Sequence, residues 1–409
     1  MKESLTDMLA MVSRLTVVAL SLTLASAHAR AVVVPSFAGP SPGALREISI
    51  PLVDISQQRE RQVVVARGTK DVYHGHCDTV LLPDGKTMFT AWTVDHARLV
   101  GPLARSTDGG LSWSAPLDVP ANWHQTSNTP AIHRLVSPDG LARLVVFAGG
   151  LDWRRGGKPP YPMHQAVSTD DGHTWTPMAP NGIEGEVPPK TILPFDDGKR
   201  LILWTDLPGF VVQCESFDGG VTWSGSRNIL QIPDRWGQPA VVRSPDGRQL
   251  LMLLRDESRK HNSLFSVSND GALTWSEPRE LPAALTGDRH VMRYAADGRL
   301  VVAMRDMART SATYGHYVAW VGRYEDIVEK REGQYRIKLL HNAARTPADT
   351  PGSGNRDCGY SDLEVLSDGT FVATTYIKYE AGLEKNSVVN LRFKVTETDA
   401  LLPAVHSLR

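Results

Sequence analysis

Cysteine is scarce, net charge is almost absent, and no long apolar run lies beyond the N-terminal end of this 409-residue chain. Three cysteines, Cys77, Cys214 and Cys358, are too few for a disulfide scaffold and lack the paired spacing of a zinc site. At most one pair can bridge, and buried free thiols are the expected state. The 44 Lys and Arg against 45 Asp and Glu leave a formal charge of −1. That balance removes the electrostatic case for nucleic acid or an anionic membrane as the main partner. What is plentiful is turn material. The 34 Gly and 27 Pro make up about 15% of the chain, against ~12% in average proteins. A hydrophobic content of 41% is enough for a sizeable core and excludes global disorder.

The N-terminus has the pattern of a targeting segment. Lys2 and Arg14 precede the apolar run Leu15–Leu24, which is too short to span a bilayer. Small-x-small patterns follow at Ala25-Ser26-Ala27 and Ala27-His28-Ala29. Residues 1–29 therefore read as a secretory signal peptide, with a secreted or periplasmic mature chain. Residues 30–61 read as an N-terminal strand or linker, and 62–409 as one domain.

Internal repeats set the architecture of that domain. Ser106-Thr-Asp-Gly-Gly-Leu-Ser-Trp113, Ser168-Thr-Asp-Asp-Gly-His-Thr-Trp175, Ser216-Phe-Asp-Gly-Gly-Val-Thr-Trp223 and Ser268-Asn-Asp-Gly-Ala-Leu-Thr-Trp275 share Ser-x-Asp-x-Gly-x-Thr/Ser-Trp, with Ala272 for Gly in the fourth. Asp closes a turn on its own backbone, Gly supplies a positive φ, and Trp packs the turn onto a strand. Asp-Gly pairs form a second series at 84–85, 139–140, 197–198, 246–247, 297–298 and 368–369, each beside β-rich apolar runs. Such pairs mark tight hairpins. Six of them, about 57 residues apart on average, predict six copies of one antiparallel unit, the period of a four-stranded propeller blade. Copies five and six lack the Trp turn, and Trp320 with Gly322-Arg-Tyr-Glu-Asp326 reads as its worn remnant.

The Trp-containing segments resemble Asp boxes, and over residues 62–395 the chain resembles a divergent member of the sialidase (neuraminidase) superfamily with Asp-box (BNR) repeats. That resemblance implies an all-β, six-bladed propeller of four-stranded antiparallel blades. It also implies a secreted exo-acting glycoside hydrolase that releases terminal sialic acid or a related acidic sugar from a glycan or sialoglycoconjugate, with no cofactor and no metal. An arginine cluster would hold the substrate carboxylate bidentately. A tyrosine would replace the usual carboxylate nucleophile, which the substrate's own carboxylate would repel.

Tyr360, in Cys358-Gly-Tyr-Ser-Asp-Leu363, resembles the segment that carries this nucleophile, and it lies eight residues before its Asp-Gly turn. Arg255 and Arg305 each end an apolar run, nine and eight residues after the Asp of theirs, and both are expected to face the channel. Arg289 is a further candidate for the cluster. The first arginine of the family pattern is absent from Tyr73-His-Gly-His-Cys-Asp78, and Arg67 is the nearest substitute. Where the family has a glutamate to activate the tyrosine, this chain has Gln238, which cannot act as a base; Glu184 or Glu186 is the expected replacement. Asp95 or His96 stands at the position of the acid.

Histidine clusters at blade one, in His74, His76, His96 and His124, and His76 is expected to contact the substrate. A His/Tyr pair also suits a polysaccharide lyase or a uronate-specific glycosidase on a similar propeller. A non-catalytic glycan-binding propeller is the third reading. Trp92, Trp123, Trp153 and Trp236 are candidate sugar platforms, and the loop 341–357 is a candidate active-site loop because it delivers the chain to Tyr360.

Overall fold

A computed structural model describes residues 34–35, 47–150, 161–232, 236–258, 261–350 and 352–403. The segment 1–29, read as a signal peptide, and Trp153 lie outside the described residues, as does the side chain of Trp236. The architecture is all-β: six antiparallel blades form a propeller.

Each blade begins with an inner strand, turns at an Asp-Gly pair, and continues outward through its second and third strands. Blade one comprises His74–Leu81, Met88–Val94 and Leu99–Ser106. Its fourth edge is an irregular segment that bonds through Ser114 to Arg105 and through Leu117 to Leu103. Blade two is Thr126–Val136, Ala142–Gly150, Pro162–Ser168 and Ala179–Glu184, and blade three is Ile192–Phe195, Arg200–Leu207, Phe210–Ser216 and Arg227–Gln231. Blade four is Trp236–Arg243, Leu250–Asp256, Leu264–Ser268 and Arg279–Glu280, and blade five is Gly287–Tyr294, Leu300–Asp306, Tyr317–Gly322 and Tyr335–Leu340.

Blade six has Ser361–Val365, Phe371–Ile377 and Ser387–Phe393, and its outer strand, Gln62–Ala66, comes from near the start of the chain. Both ends of the propeller sequence thus meet in one sheet, which closes the ring and leaves no open edge between first and last blades. Just upstream, Leu52–Asp54 adds a parallel strand to the rim of blade five, so part of the segment read as a linker is ordered on the propeller.

The core lies between blades. One cluster joins blades one and two around Phe89, Trp123, Ile132 and Val146, and another joins four and five around Leu253, Phe265, Met304 and Trp320. Second strands are covered on both faces, which explains runs such as Leu250–Leu254 and Leu300–Met304 that do not alternate with polar residues. Trp92 and Trp123 belong to this buried material. Their indoles donate to His74 Nδ1 and to the Thr176 carbonyl, so neither is the sugar platform the sequence suggested.

The four Asp boxes cap the hairpins between third and fourth strands. In the box of blade three, the Ser216 hydroxyl donates to Asp218 Oδ1 at 2.8 Å, the Gly220 amide donates to Ser216 Oγ at 2.8 Å, and Val221 and Thr222 amides donate to Asp218 Oδ1 at 3.0 Å. Burial works against the Asp218 charge, yet the Thr222 and Ser216 donors outweigh it and hold the carboxyl below its usual value. Asp218→Ala should lower stability by about 2 kcal/mol, read as an earlier urea midpoint with an unchanged slope. Ala272, standing where the other boxes have Gly, takes the same left-handed conformation at φ 69°. Blades five and six carry no worn box. The short helices Tyr324–Val328 and Val395–Asp399 follow their third strands instead, because acidic residues that cap a first turn replace the Asp-box spacing.

All three cysteines are buried and free. No helix among the described residues is long and apolar enough to cross a membrane.

Candidate active site

A local irregularity shared by several blades builds the site. In blades one, two, four and five the inner strand slips register against its neighbour, leaving His76-Cys77, Asn128-Thr129-Pro130, Gln238-Pro239 and Arg289-His290 unpaired within the ladder. Asn128, Gln238 and Arg289 take positive φ at 69°, 54° and 54°. Bulges of this kind re-aim side chains, and strained backbone of this kind clusters at functional sites. Blade six reaches the same level through Gly359, at φ 87°, where a Cβ would lie 2.5 Å from that of Arg305. Only glycine fits there, and it brings Tyr360 against the arginines.

These residues enclose a cavity of about 560 Å³ lined by His76, His96, Asn128, Glu186, Gln238, Arg255, Glu257, Arg305, Arg356, Asp357 and Tyr360, among others. Tyr360 forms its floor. The phenol oxygen accepts from Arg255 Nη1 at 2.7 Å and from Gln238 Nε2 at 2.8 Å. The guanidinium carbons of Arg305 and Arg289 lie 5.5 and 5.7 Å from the Tyr360 ring centre. Two cations thus lie against the phenol ring and a third donates to its oxygen.

Each arginine is held differently. Arg255 reaches Glu257 at 2.5 Å. Burial opposes its charge, but Tyr360, Asp288, Glu257 and Asp206 more than restore it. Arg305 donates from Nε to Asp288 at 3.0 Å and from Nη1 to the Arg356 carbonyl at 3.0 Å. Arg289 is buried with its guanidinium on the Pro188 carbonyl and does not line the cavity; it supports the ring of Tyr360 from beneath. Asp206, a buried acid next to Gly237, faces Arg255 and Arg289, and burial pushes its carboxyl up against both. Arg356 lines the rim, and its guanidinium has no partner among the described residues.

The opposite wall holds His96 and Asp357. His96 Nδ1 lies 3.1 Å from Asp357 Oδ1, and the hydroxyls of Tyr73 and Tyr376 donate to the two Asp357 oxygens at 2.8 and 2.9 Å. Burial opposes the Asp357 charge, but these donors, His96 foremost, hold its carboxyl well below the usual range. Burial and the Asp357 charge push the phenols of Tyr73 and Tyr376 up, so both stay protonated donors.

The sequence expectations fare unevenly. Tyr360, His76, His96, Glu186, Gln238, Arg255 and Arg305 come together in one cavity. Arg67 does not: it is exposed and pairs with Glu380 at 2.9 Å. Asp95 does not either; it is exposed in a turn at φ 63°. Glu184 is exposed away from the lining, while Glu186 faces the cavity, and His74 and His124 stand outside it. Asp357, Arg356, Asn128, Glu257, Tyr73 and Tyr376 were not singled out. One signal could have found part of that set: Tyr376 lies eight residues after the Asp of its Asp-Gly turn, as Arg305 does. Among the described residues no group of three or more His, Cys, Asp or Glu is placed to hold a metal ion.

Residues 60–372 match the BNR repeat-like domain. No curated protein sequence is significantly similar. Among solved structures, the intramolecular trans-sialidase of Ruminococcus gnavus in complex with oseltamivir carboxylate superposes with a TM-score of 0.56 at 17% identity, over 82% of this chain and 97% of that one. An alpha-L-arabinofuranosidase of Fusarium graminearum bound to an iminosugar inhibitor gives 0.57 at 14% identity, over 83% and 99%. The NanB sialidase of Streptococcus pneumoniae gives 0.55 at 12% identity, over 88% and 72%. At these identities the likeness is one of fold.

Proposed function

The chain belongs to the BNR repeat-like domain family, and from that premise we propose that it is a glycoside hydrolase that removes a terminal acidic sugar, of the sialic or uronic acid kind, from glycans. The observation that carries this reading is the convergence of Arg255 and Gln238 on the Tyr360 oxygen in a cavity that Arg305 and Arg356 also line. A cavity of about 560 Å³ suits one terminal sugar and its link better than the middle of a polymer.

Arg255, Arg305 and Arg356 bind the substrate carboxylate. Arg356 takes the place first assigned to Arg289 or Arg67, since neither of those reaches the cavity. Tyr360 attacks the anomeric carbon, its oxygen held by Arg255 and Gln238 as charge develops on it. Export is part of this reading and rests on the pattern of residues 1–29.

The test is release of methylumbelliferone from its sialoside and glucuronide by the purified chain. Turnover supports the reading. Silence on both, with a rise in absorbance near ~235 nm on acidic polysaccharide, overturns it in favour of a lyase, whose elimination begins at a base. One observation favours that second reading: Gln238, not a glutamate, stands on the Tyr360 hydroxyl, and the His76 ring lies 4.5 Å from the Tyr360 ring, edge to face. In either chemistry Arg356→Met should raise KM by roughly 10- to 100-fold and leave kcat nearly unchanged, because an exposed rim cation binds ground and transition states alike.

A further inference from the structure

Two histidines share the cavity wall in contrasting surroundings. The rings of His76 and His96 lie 4.5 Å apart, edge to face. His76 is buried within the blade-one bulge, and Tyr360, Tyr376, His96, Asp357, Arg305 and Arg289 face it. Its Nε2 lies 3.5 Å from the Tyr376 hydroxyl, and its Nδ1 has no partner among the described residues. Burial first, then His96 and the two arginines, keep this imidazole neutral against the pull of Asp357. His96 is half exposed and faces Tyr73, Tyr376, His76 and Asp357, with its Nδ1 committed to the Asp357 carboxylate. That bond fixes the ring and leaves Nε2 as its remaining proton-carrying atom. Neighbouring titratable groups in opposed environments are the usual arrangement for dividing acid from base.

We infer that the two histidines divide the proton transfers of the glycosidase reaction proposed above: His96, oriented by Asp357, donates to the leaving oxygen, and His76 receives the phenol proton of Tyr360. The inference rests on that reading. In the first half-reaction the bond from Tyr360 Oη to the anomeric carbon forms as the glycosidic C–O bond breaks. The Nε2 proton of His96 passes to the leaving oxygen, and the phenol proton passes to the imidazole of His76, whose ring lies 4.5 Å from that of Tyr360. The charge gained by His76 is relayed toward Asp357 through the Tyr376 hydroxyl. In the second half-reaction water bonds to the anomeric carbon and returns a proton to His96. Tyr360 departs and takes its proton back from His76, so both residues end as they began.

Leaving-group dependence tests this, with methylumbelliferyl sialoside and sialyllactose as the probes. Methylumbelliferone departs without help, whereas the sugar hydroxyl needs a proton. His96→Gln should slow sialyllactose cleavage by about 10²–10⁴-fold and the aryl sialoside by less than ~10-fold, and added azide should yield sialyl azide with the aryl probe. Asp357→Asn should show the same leaving-group bias at smaller size. It serves as the second variant if His96→Gln melts early. His76→Gln should slow both probes by similar factors. Equal losses on the two probes in both His96→Gln and Asp357→Asn, or no loss in either, overturn the assignment. A wild-type chain inert on both probes and on methylumbelliferyl glucuronide overturns the glycosidase reading itself, a result seen before any variant is made.

Discussion

Tyr360→Phe is expected to reduce turnover of the methylumbelliferyl sialoside by at least ~10³-fold, the scale of losing a covalent nucleophile, while the folded structure survives. The change removes one oxygen. Arg255 keeps Glu257 at 2.5 Å and its electrostatic partners Asp206 and Asp288, so its charge is not stranded. Gln238 Nε2 loses its acceptor, and the stability loss should be about 1–2 kcal/mol. The aromatic packing with His76, Arg289 and Arg305 remains. A thermal melt within a few degrees of wild type, together with the lost turnover, separates chemistry from folding. A variant that keeps full turnover would remove Tyr360 from the mechanism, and the cavity would then have to act through His96 and Asp357 alone.

The fold was legible because its determinants are local and repeated. An Asp-Gly pair makes the same hairpin wherever it falls, and the Ser-x-Asp-x-Gly-x-Thr-Trp turn carries its own hydrogen bonds within eight residues. Blade five's Trp320 differs from the box tryptophans in position: it sits within the third strand, Tyr317–Gly322, with its indole donating to the Glu332 carbonyl and packed against Gly333. The site was legible where it shares the repeat: Tyr360, Gln238 and His76 sit at one position of the blade, and Arg255 and Arg305 pair across from Gly237 and Asp288 in matching register. It was illegible where long-range contacts make it. Asp357 and His96 are 261 positions apart and join through a loop without periodicity. Asp95 and His96 are adjacent, and only the left-handed turn at Asp95 decides which of them lines the cavity. Arg67 and Arg356 carry the same charge, and nothing local marks one as paired at the surface and the other as facing the cavity.

Lys190→Met should cost about 3–5 kcal/mol of stability at pH 8, the scale of stranding buried charge, and much less at pH 5. Lys190 is buried with its ammonium on Asp78 and, at 3.0 Å, on Asp362. Arg293 lies 3.7 Å from Asp362 and 3.6 Å from Glu364. Three carboxyls thus share two cations beside a second cavity of about 360 Å³. Burial pushes Asp78 up to about 6 and Glu364 up to about 7, each opposed by its cation. These folded values lie above the usual unfolded value near ~4. The stability they contribute is therefore complete below pH ~4 and lost as pH rises through about 6 to 7. Wild type should accordingly gain from this cluster at mildly acidic pH. Removing Lys190 sharpens the dependence, because Asp78 then has only protonation and the Ile132 amide, at 2.9 Å, to relieve it. Urea unfolding at pH 5 and pH 8 measures both effects. Equal losses at the two pH values would show that the carboxyls do not titrate in this range. Adding Asp78→Asn to Lys190→Met should recover roughly half of the loss at pH 8, since neighbouring charges do not act additively. The site should feel the change as well. Arg289 responds to both Asp78 and Tyr360, so a collapse of the cluster that shifts Arg289 would lower turnover without touching any residue that lines the cavity.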